Sequence, residues 1–288
     1  DNNTLIRYSA NYGDITFINN NGATTITMTT QMSVAGITTS ANVSFLNVIN
    51  DGDITIVNVS VATYTMYVAG LATNLSSGKY IKNSINQGKI TVAYINSGTS
   101  GYPNIYIGGL VNGNYSGDLH ESWQSETQPK AAIGIINSLN YGEITTTYSS
   151  TYLGIRNRSN TFVGGIATMN AGSIQDSANL GDLRVYNSST SGTTTLSTGS
   201  YTANRVQTYT HGVTVGGIVG ITLTGNARVY DTANNGDIIA LAYRYVRSGG
   251  VIAVSLYAEA LAGGITSGTH GLETTVSDSI FLNGINFG

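Results

Sequence analysis

The sequence predicts an all-β protein: a right-handed parallel β-solenoid (β-helix) built from about seven irregular repeats with loop insertions. Three observations predict it. First, a short stretch recurs seven times, at 6–15, 45–54, 81–90, 135–144, 174–183, 229–238 and 281–288. It reads apolar, two residues, polar, apolar, Asn, any residue, Gly, usually an acid, apolar. Second, aligned on the glycine, the residue two before it is Asn in every copy: Asn11, Asn50, Asn86, Asn140, Asn179, Asn234 and Asn286. Third, the apolar positions after the glycine alternate, with the period of two that places side chains on one face of a strand. Repeats spaced by tens of residues that cannot bury an apolar face alone do so by stacking.

Each element follows from its column. Seven before the glycine stand Ile6, Phe45, Ile81, Ile135, Ile174, Val229 and Phe281; three before it stand Ala10, Ile49, Ile85, Leu139, Ala178, Ala233 and Ile285. Two after it come Ile15, Ile54, Ile90, Ile144, Leu183 and Ile238, and four after it Phe17, Ile56, Val92, Thr146, Val185 and Ala240. Between these last two columns Thr16, Thr55, Thr91, Thr145, Arg184 and Ile239 suit an outward face. Enrichment in Ile, Val, Thr and Tyr is strand-like, and only two prolines interrupt it. The reading yields about three short strands per repeat, stacked at a spacing of ~4.8 Å around a continuous apolar interior. The Asn column is expected to lie one residue above the next, bonding between rungs at a turn that leaves amides unpaired.

A second element precedes most copies: Val34-Ala35-Gly36-Ile37, Val68-Ala69-Gly70-Leu71, Ile107-Gly108-Gly109-Leu110, Val163-Gly164-Gly165-Ile166, Val215-Gly216-Gly217-Ile218 and Ala262-Gly263-Gly264-Ile265. Glycine inside a strand-like run marks a bend or a close backbone approach. A phosphate loop would need a following helix and a Lys-Ser/Thr end, and neither follows.

The run 164–183, with Gly164-Gly165-Ile166, Gly172-Ser173-Ile174 and Ser177, resembles the GLUG-type repeat of bacterial adhesin-like surface proteins, as does 216–238. The resemblance is stretched by an insertion in 108–144 and covers about half the chain. It implies a β-helical stalk and says little about activity. The chain departs from the pattern in its Asn-x-Gly-Asp corner and its uneven loops.

Composition narrows the function classes. Charged residues make up 9% of the 288, against roughly 25% in an average soluble protein. With a net charge of −3 and dispersed basic residues, there is no electrostatic footprint for nucleic acid. Cysteine is absent, which removes disulfides, a thiol nucleophile and thiolate metal sites together. No apolar run reaches the ~20 residues of a membrane span, so no membrane insertion is expected within 1–288. The chain reads as one repeat array over 1–288, a segment of a longer extracellular or cell-surface protein, because the last copy stops at Gly288 where its acid and strand would follow.

Few residues remain for chemistry. Asp14, Asp53, Glu143, Asp182 and Asp237 follow the glycine, but Lys89 takes the same place in the third copy, which suits a solvated edge. The spacing of a calcium loop is missing, and neither a metal nor a cofactor is expected. The insertion 112–134 holds Asp118, His120, Glu121 and Trp123. Trp123, Tyr115 and His120 are the candidate ligand- or partner-binding residues, since amphipathic aromatics on a loop suit glycan or protein surfaces. Tyr102, Tyr106, Tyr148, Tyr152, Tyr201 and Tyr209 also read as loop or excursion residues.

The favoured function is a non-enzymatic structural and adhesive module, binding a surface glycan or protein or packing with copies of itself. A carbohydrate-active β-helix enzyme using Asp118 and Glu121 as acid and base is the first alternative. A self-assembling filament or sheath subunit is the second.

Overall fold

A computed structural model describes residues 4–21, 31–60, 65–96, 103–116, 134–150, 160–191, 212–223, 227–248, 251–255, 259–267, 280–282 and 285–286. Among these the chain is a parallel β-solenoid. One full rung shows the plan: Tyr80–Lys82 in sheet A, Ile85–Asn86 in sheet B, Ile90–Asn96 in sheet C, Asn104–Gly108 in sheet D and Val111–Asn114 in sheet E. The next rung repeats the order one layer on, and equivalent strands pair in parallel throughout. The one antiparallel partner among the described strands is Val251–Ser255, which folds back on Ile238–Ser248.

The register follows the sequence columns. Ile81 pairs with Phe45 and Ile135, Ile135 with Ile174, Ile174 with Val229, and Val229 with Phe281. Asn86 pairs with Asn50 and Asn140, and Ile90 with Ile54 and Ile144. A rung carries five short strands where the sequence suggests three. The glycine pair does not sit inside one strand but ends sheet D, so the chain bends sharply and resumes as sheet E. The Ile-to-Asn stretch is likewise broken by a corner into sheets A and B.

That second corner has its own column. Tyr8, Asn47, Asn83, Asn137, Asp176 and Asp231 all take positive φ, between 47° and 54°. Five of the six are Asn or Asp, whose short polar side chains tolerate left-handed backbone. Serine follows at the next position of several rungs and carries the bend between layers. The Ser138 hydroxyl accepts from the Ser84 amide and donates to the Ile136 carbonyl, while the Ser177 hydroxyl accepts from the Ser138 amide.

The interior divides into two apolar lobes. One lies between sheets C and D and holds Ile54, Ile56, Val68, Ile90, Val92, Ile107, Ile144 and Val163; the other lies between sheets A and E and holds Phe45, Leu71, Ile81, Leu110, Ile135, Ile166 and Ile174. All of these are essentially solvent-free. At roughly 1.5–3 kcal/mol per fully buried aliphatic side chain, these columns are the main source of stability. Sheet B closes the waist between the lobes, and its Asn column packs there against the glycine that follows sheet D.

Two tyrosines differ from their expected place. Tyr148 is a sheet C residue, 2% exposed, whose ring stacks inside the core on Tyr94 with centroids 5.6 Å apart. Tyr106 lies in sheet D with its side chain outward. Both belong to the rungs, and sequence reasoning misplaced them because Tyr suits strands and loop surfaces equally. Tyr102, Tyr152, Tyr201 and Tyr209 lie outside the described residues.

Candidate functional site: the furrow between sheets D and E

The recurring polar residues are occupied by stacking. Each ladder Asn donates one Nδ2 hydrogen to the Oδ1 of the next rung's Asn. The distance is 2.8 Å from Asn11 to Asn50, Asn50 to Asn86, Asn86 to Asn140, Asn140 to Asn179 and Asn179 to Asn234. The other hydrogen goes to the carbonyl of the glycine two residues on, as from Asn86 to Gly88 and from Asn140 to Gly142. Both donors are used and the bonds all point one way, so neighbouring amide dipoles reinforce one another.

The acid column is half exposed or exposed, as a solvated edge should be, but it also has a structural task. Asp14 Oδ1 accepts from the Asp53 amide, Asp53 Oδ1 from the Lys89 amide, and Asp182 Oδ1 from the Asp237 amide. Lys89, Glu143, Asp182 and Arg184 form a chain of ion pairs across three rungs at 2.7–3.6 Å. Arg184 holds the Asp182 carboxyl below its ordinary range, helped by the Asp237 amide. Among the described residues no three His, Cys, Asp or Glu side chains lie close enough together to hold a metal ion.

One outer surface that stacking leaves over lies where sheet D turns into sheet E. Sheet D sends an aromatic row outward: Tyr67, Tyr106 and Phe162 are register partners in successive rungs. Their rings stack with centroids 5.1 Å and 5.0 Å apart and planes within 9° and 14°. The bend folds sheet E back towards this row. Asn112 lies in the angle, fully buried, and its Nδ2 donates to the Val68 carbonyl of sheet D at 2.8 Å. Thr168 in the next rung donates its hydroxyl to Asn112 Oδ1 at 3.0 Å.

Tyr115 completes the furrow. It follows sheet E, and its ring packs on the backbone of Gly113, where a β-carbon would stand 3.0 Å from Tyr115 Cζ. Its hydroxyl points at Met169 Sδ, 3.9 Å away. The three phenols influence one another. Burial pushes Tyr106 up to about 12, with smaller contributions from Tyr67 and Tyr115. Burial raises Tyr115 as well, and Tyr67 adds to it; burial alone raises Tyr67.

Of the three residues expected to bind a ligand, Tyr115 is thus placed beside Tyr67 and Tyr106, at 39% exposure. His120 and Trp123 lie outside the described residues, as do Asp118 and Glu121. Sequence reasoning missed Tyr67 and Phe162 as site residues. The available signal was the alignment of the glycine pairs, which puts Tyr67, Tyr106 and Phe162 each one residue before the apolar residue that precedes the pair.

No protein-family model matches the chain, nor does any curated protein or solved structure.

Proposed function

We propose that this chain is a structural and adhesive module of a bacterial surface or secreted protein, a rod that positions binding surfaces and performs no chemistry of its own. The observation that carries this reading is the use of the invariant Asn column, and of much of the Ser and Asp columns, in bonding between rungs. Their side chains hold one rung to the next instead of facing a ligand, as Asn140 does with Asn179, Ser177 with the Ser138 amide and Asp182 with the Asp237 amide. The outward surface includes aromatic, hydroxyl and amide groups, which suit recognition of glycans or proteins. The GLUG-like runs at 164–183 and 216–238 support a place among adhesin-like surface proteins, where such rods act as stalks.

The test separates attachment from turnover. The 288-residue segment is displayed on beads and offered to arrays of glycans and surface proteins, and in parallel incubated with a broad panel of polysaccharides. Retention on one class of surface without release of new reducing ends is the expected result. Depolymerisation that is lost in Asp118→Asn or Glu121→Gln would replace the module reading with the enzymatic one.

A further inference from the structure

We propose that the furrow between sheets D and E binds a neutral, extended polysaccharide laid along the rod axis, with one sugar resting on Tyr115 and bonded to the Tyr106 hydroxyl of the same rung, and the preceding sugar bonded to the Tyr67 hydroxyl. This assignment rests on the reading of the chain as a binding module and names the ligand class and the subsite.

Four observations carry it. The first is periodicity. The Tyr67–Tyr106–Phe162 row advances by 5.0–5.1 Å per rung, the strand spacing of a sheet. An extended pyranose chain advances by nearly the same distance per residue, so successive sugars meet successive rungs.

The second is which ring surfaces are available. Within the row each ring covers the next, so the row offers edges and hydroxyls rather than faces. Tyr115 is different. One side of its ring rests on Gly113, and the residue remains 39% exposed. It therefore supplies the flat surface on which the C–H face of a sugar packs, as aromatic side chains with a polar tip do at such sites.

The third is unspent hydrogen-bonding capacity. Among the described residues neither the Tyr67 nor the Tyr106 hydroxyl has a hydrogen-bond partner, although both side chains are half-buried. Groups of this kind gain most from a ligand that carries its own donors and acceptors. The fourth is charge. Tyr67, Tyr106, Phe162, Asn74, Tyr115 and Met169 line the furrow without a formal charge, and burial keeps the phenols protonated far above neutral pH. A neutral polyol fits this lining, whereas a uronate or sulfated chain would lose its hydration with no cation among these described lining residues to meet it.

The experiment uses the full segment, with cellohexaose, mannohexaose and chitohexaose as neutral probes and a hexagalacturonate as the acidic comparison, each titrated calorimetrically. Two variants read the subsite. Tyr115→Ala removes the platform, and Tyr67→Phe/Tyr106→Phe removes both hydroxyls while keeping the stack, since Phe162 already occupies the same column. At least one neutral hexaose is expected to bind, about tenfold more weakly in Tyr115→Ala and severalfold more weakly in the double variant. Circular dichroism and the melting curve of the double variant should match the parent.

Affinity unchanged in both variants, tighter binding of hexagalacturonate, or no binding of any neutral hexaose overturns the proposal. Attachment to a glycan surface that survives both variants would sink the furrow and leave the module reading standing. Release of new reducing ends by the parent would sink the module reading whatever the furrow variants do.

Discussion

The backbone of Gly109 lies against the side chain of Asn140, so close that a β-carbon on the glycine would stand 2.6 Å from Asn140 Cγ and 2.8 Å from Nδ2. Equivalent pairs occur along the rod: Gly36 with Asn50, Gly70 with Asn86, Gly165 with Asn179, Gly217 with Asn234 and Gly264 with Asn286. The two sequence signals, the glycine pair and the invariant Asn, are therefore two halves of one contact. It closes the waist between the apolar lobes and lets the amide ladder run through the interior with every hydrogen bonded.

Gly109→Ala should accordingly be among the most damaging small substitutions. The methyl meets the Gly165 backbone carbonyl as well as the Asn140 side chain, which its ladder bonds hold in place, so little can give way. Overpacking of this kind costs about 1–3 kcal/mol where neighbours can shift, and the upper end is expected here. Urea unfolding should show a lower midpoint with an unchanged slope. A midpoint equal to the parent would mean that the waist is looser than this contact implies.

Replacing Asn140 separates shape from hydrogen bonding. Leu has nearly the same branched outline, so Asn140→Leu should fit against Gly109 while deleting the bonds to Asn86, Asn179 and the Gly142 carbonyl. Buried partners left unpaired cost about 1–3 kcal/mol, so a loss of ~3 kcal/mol is expected. Asn140→Asp should be worse near neutral pH, because a carboxylate would face the Asn179 oxygen with no hydrogen to offer. Acidification should partly repair it by restoring a donor. An Asp variant no less stable than the Leu variant near neutral pH would remove the ladder argument.

How far this was legible depends on the type of signal. The Asn140 and Ile144 columns were readable because each rung repeats them at a fixed offset from the glycine, and Asn140 and Ile144 themselves are fully buried. The corner between sheets A and B was not read as a break, since only the left-handed backbone at Asn83 or Asn137 reveals it. The furrow was half legible. Tyr115 stood out as an aromatic on a loop, whereas Tyr67 and Phe162 looked like ordinary strand residues. Their partnership with Tyr106 depends on stacking residues that are 39 and 56 positions apart in sequence, across loops of unequal length.

Asp182 should make stability depend on acid. Its hydrogen bond to Arg184, and then that from the Asp237 amide, lowers its folded-state value from the ordinary 3.8. The carboxylate's contribution is therefore complete above that ordinary value and lost as pH falls through the depressed one. Both partners are open to solvent, so screening keeps the effect small. Unfolding of the parent and of Asp182→Asn, compared from about pH 6 down to about pH 2, should show a gap that closes in acid. A constant gap would mean that Asp182 acts through packing alone.

The furrow phenols give the matching test at high pH. Burial first, and the neighbouring Tyr67 and Tyr115 second, push Tyr106 from an ordinary 10.0 up to about 12. A raised folded value means that the folded chain keeps a proton which the unfolded chain surrenders. The stability tied to Tyr106 is thus complete below pH ~10 and lost as pH rises towards ~12. Phenolate absorbance of the parent minus that of Tyr106→Phe should isolate one step near the upper value. In Tyr115→Phe that step should move down, because one of the two neighbouring phenols that oppose it is gone. Stability of the parent should fall more steeply between those two pH values than that of Tyr106→Phe. If Tyr106 titrates at its ordinary value, it is fully hydrated, sheet E does not fold over the aromatic row, and the furrow is open surface.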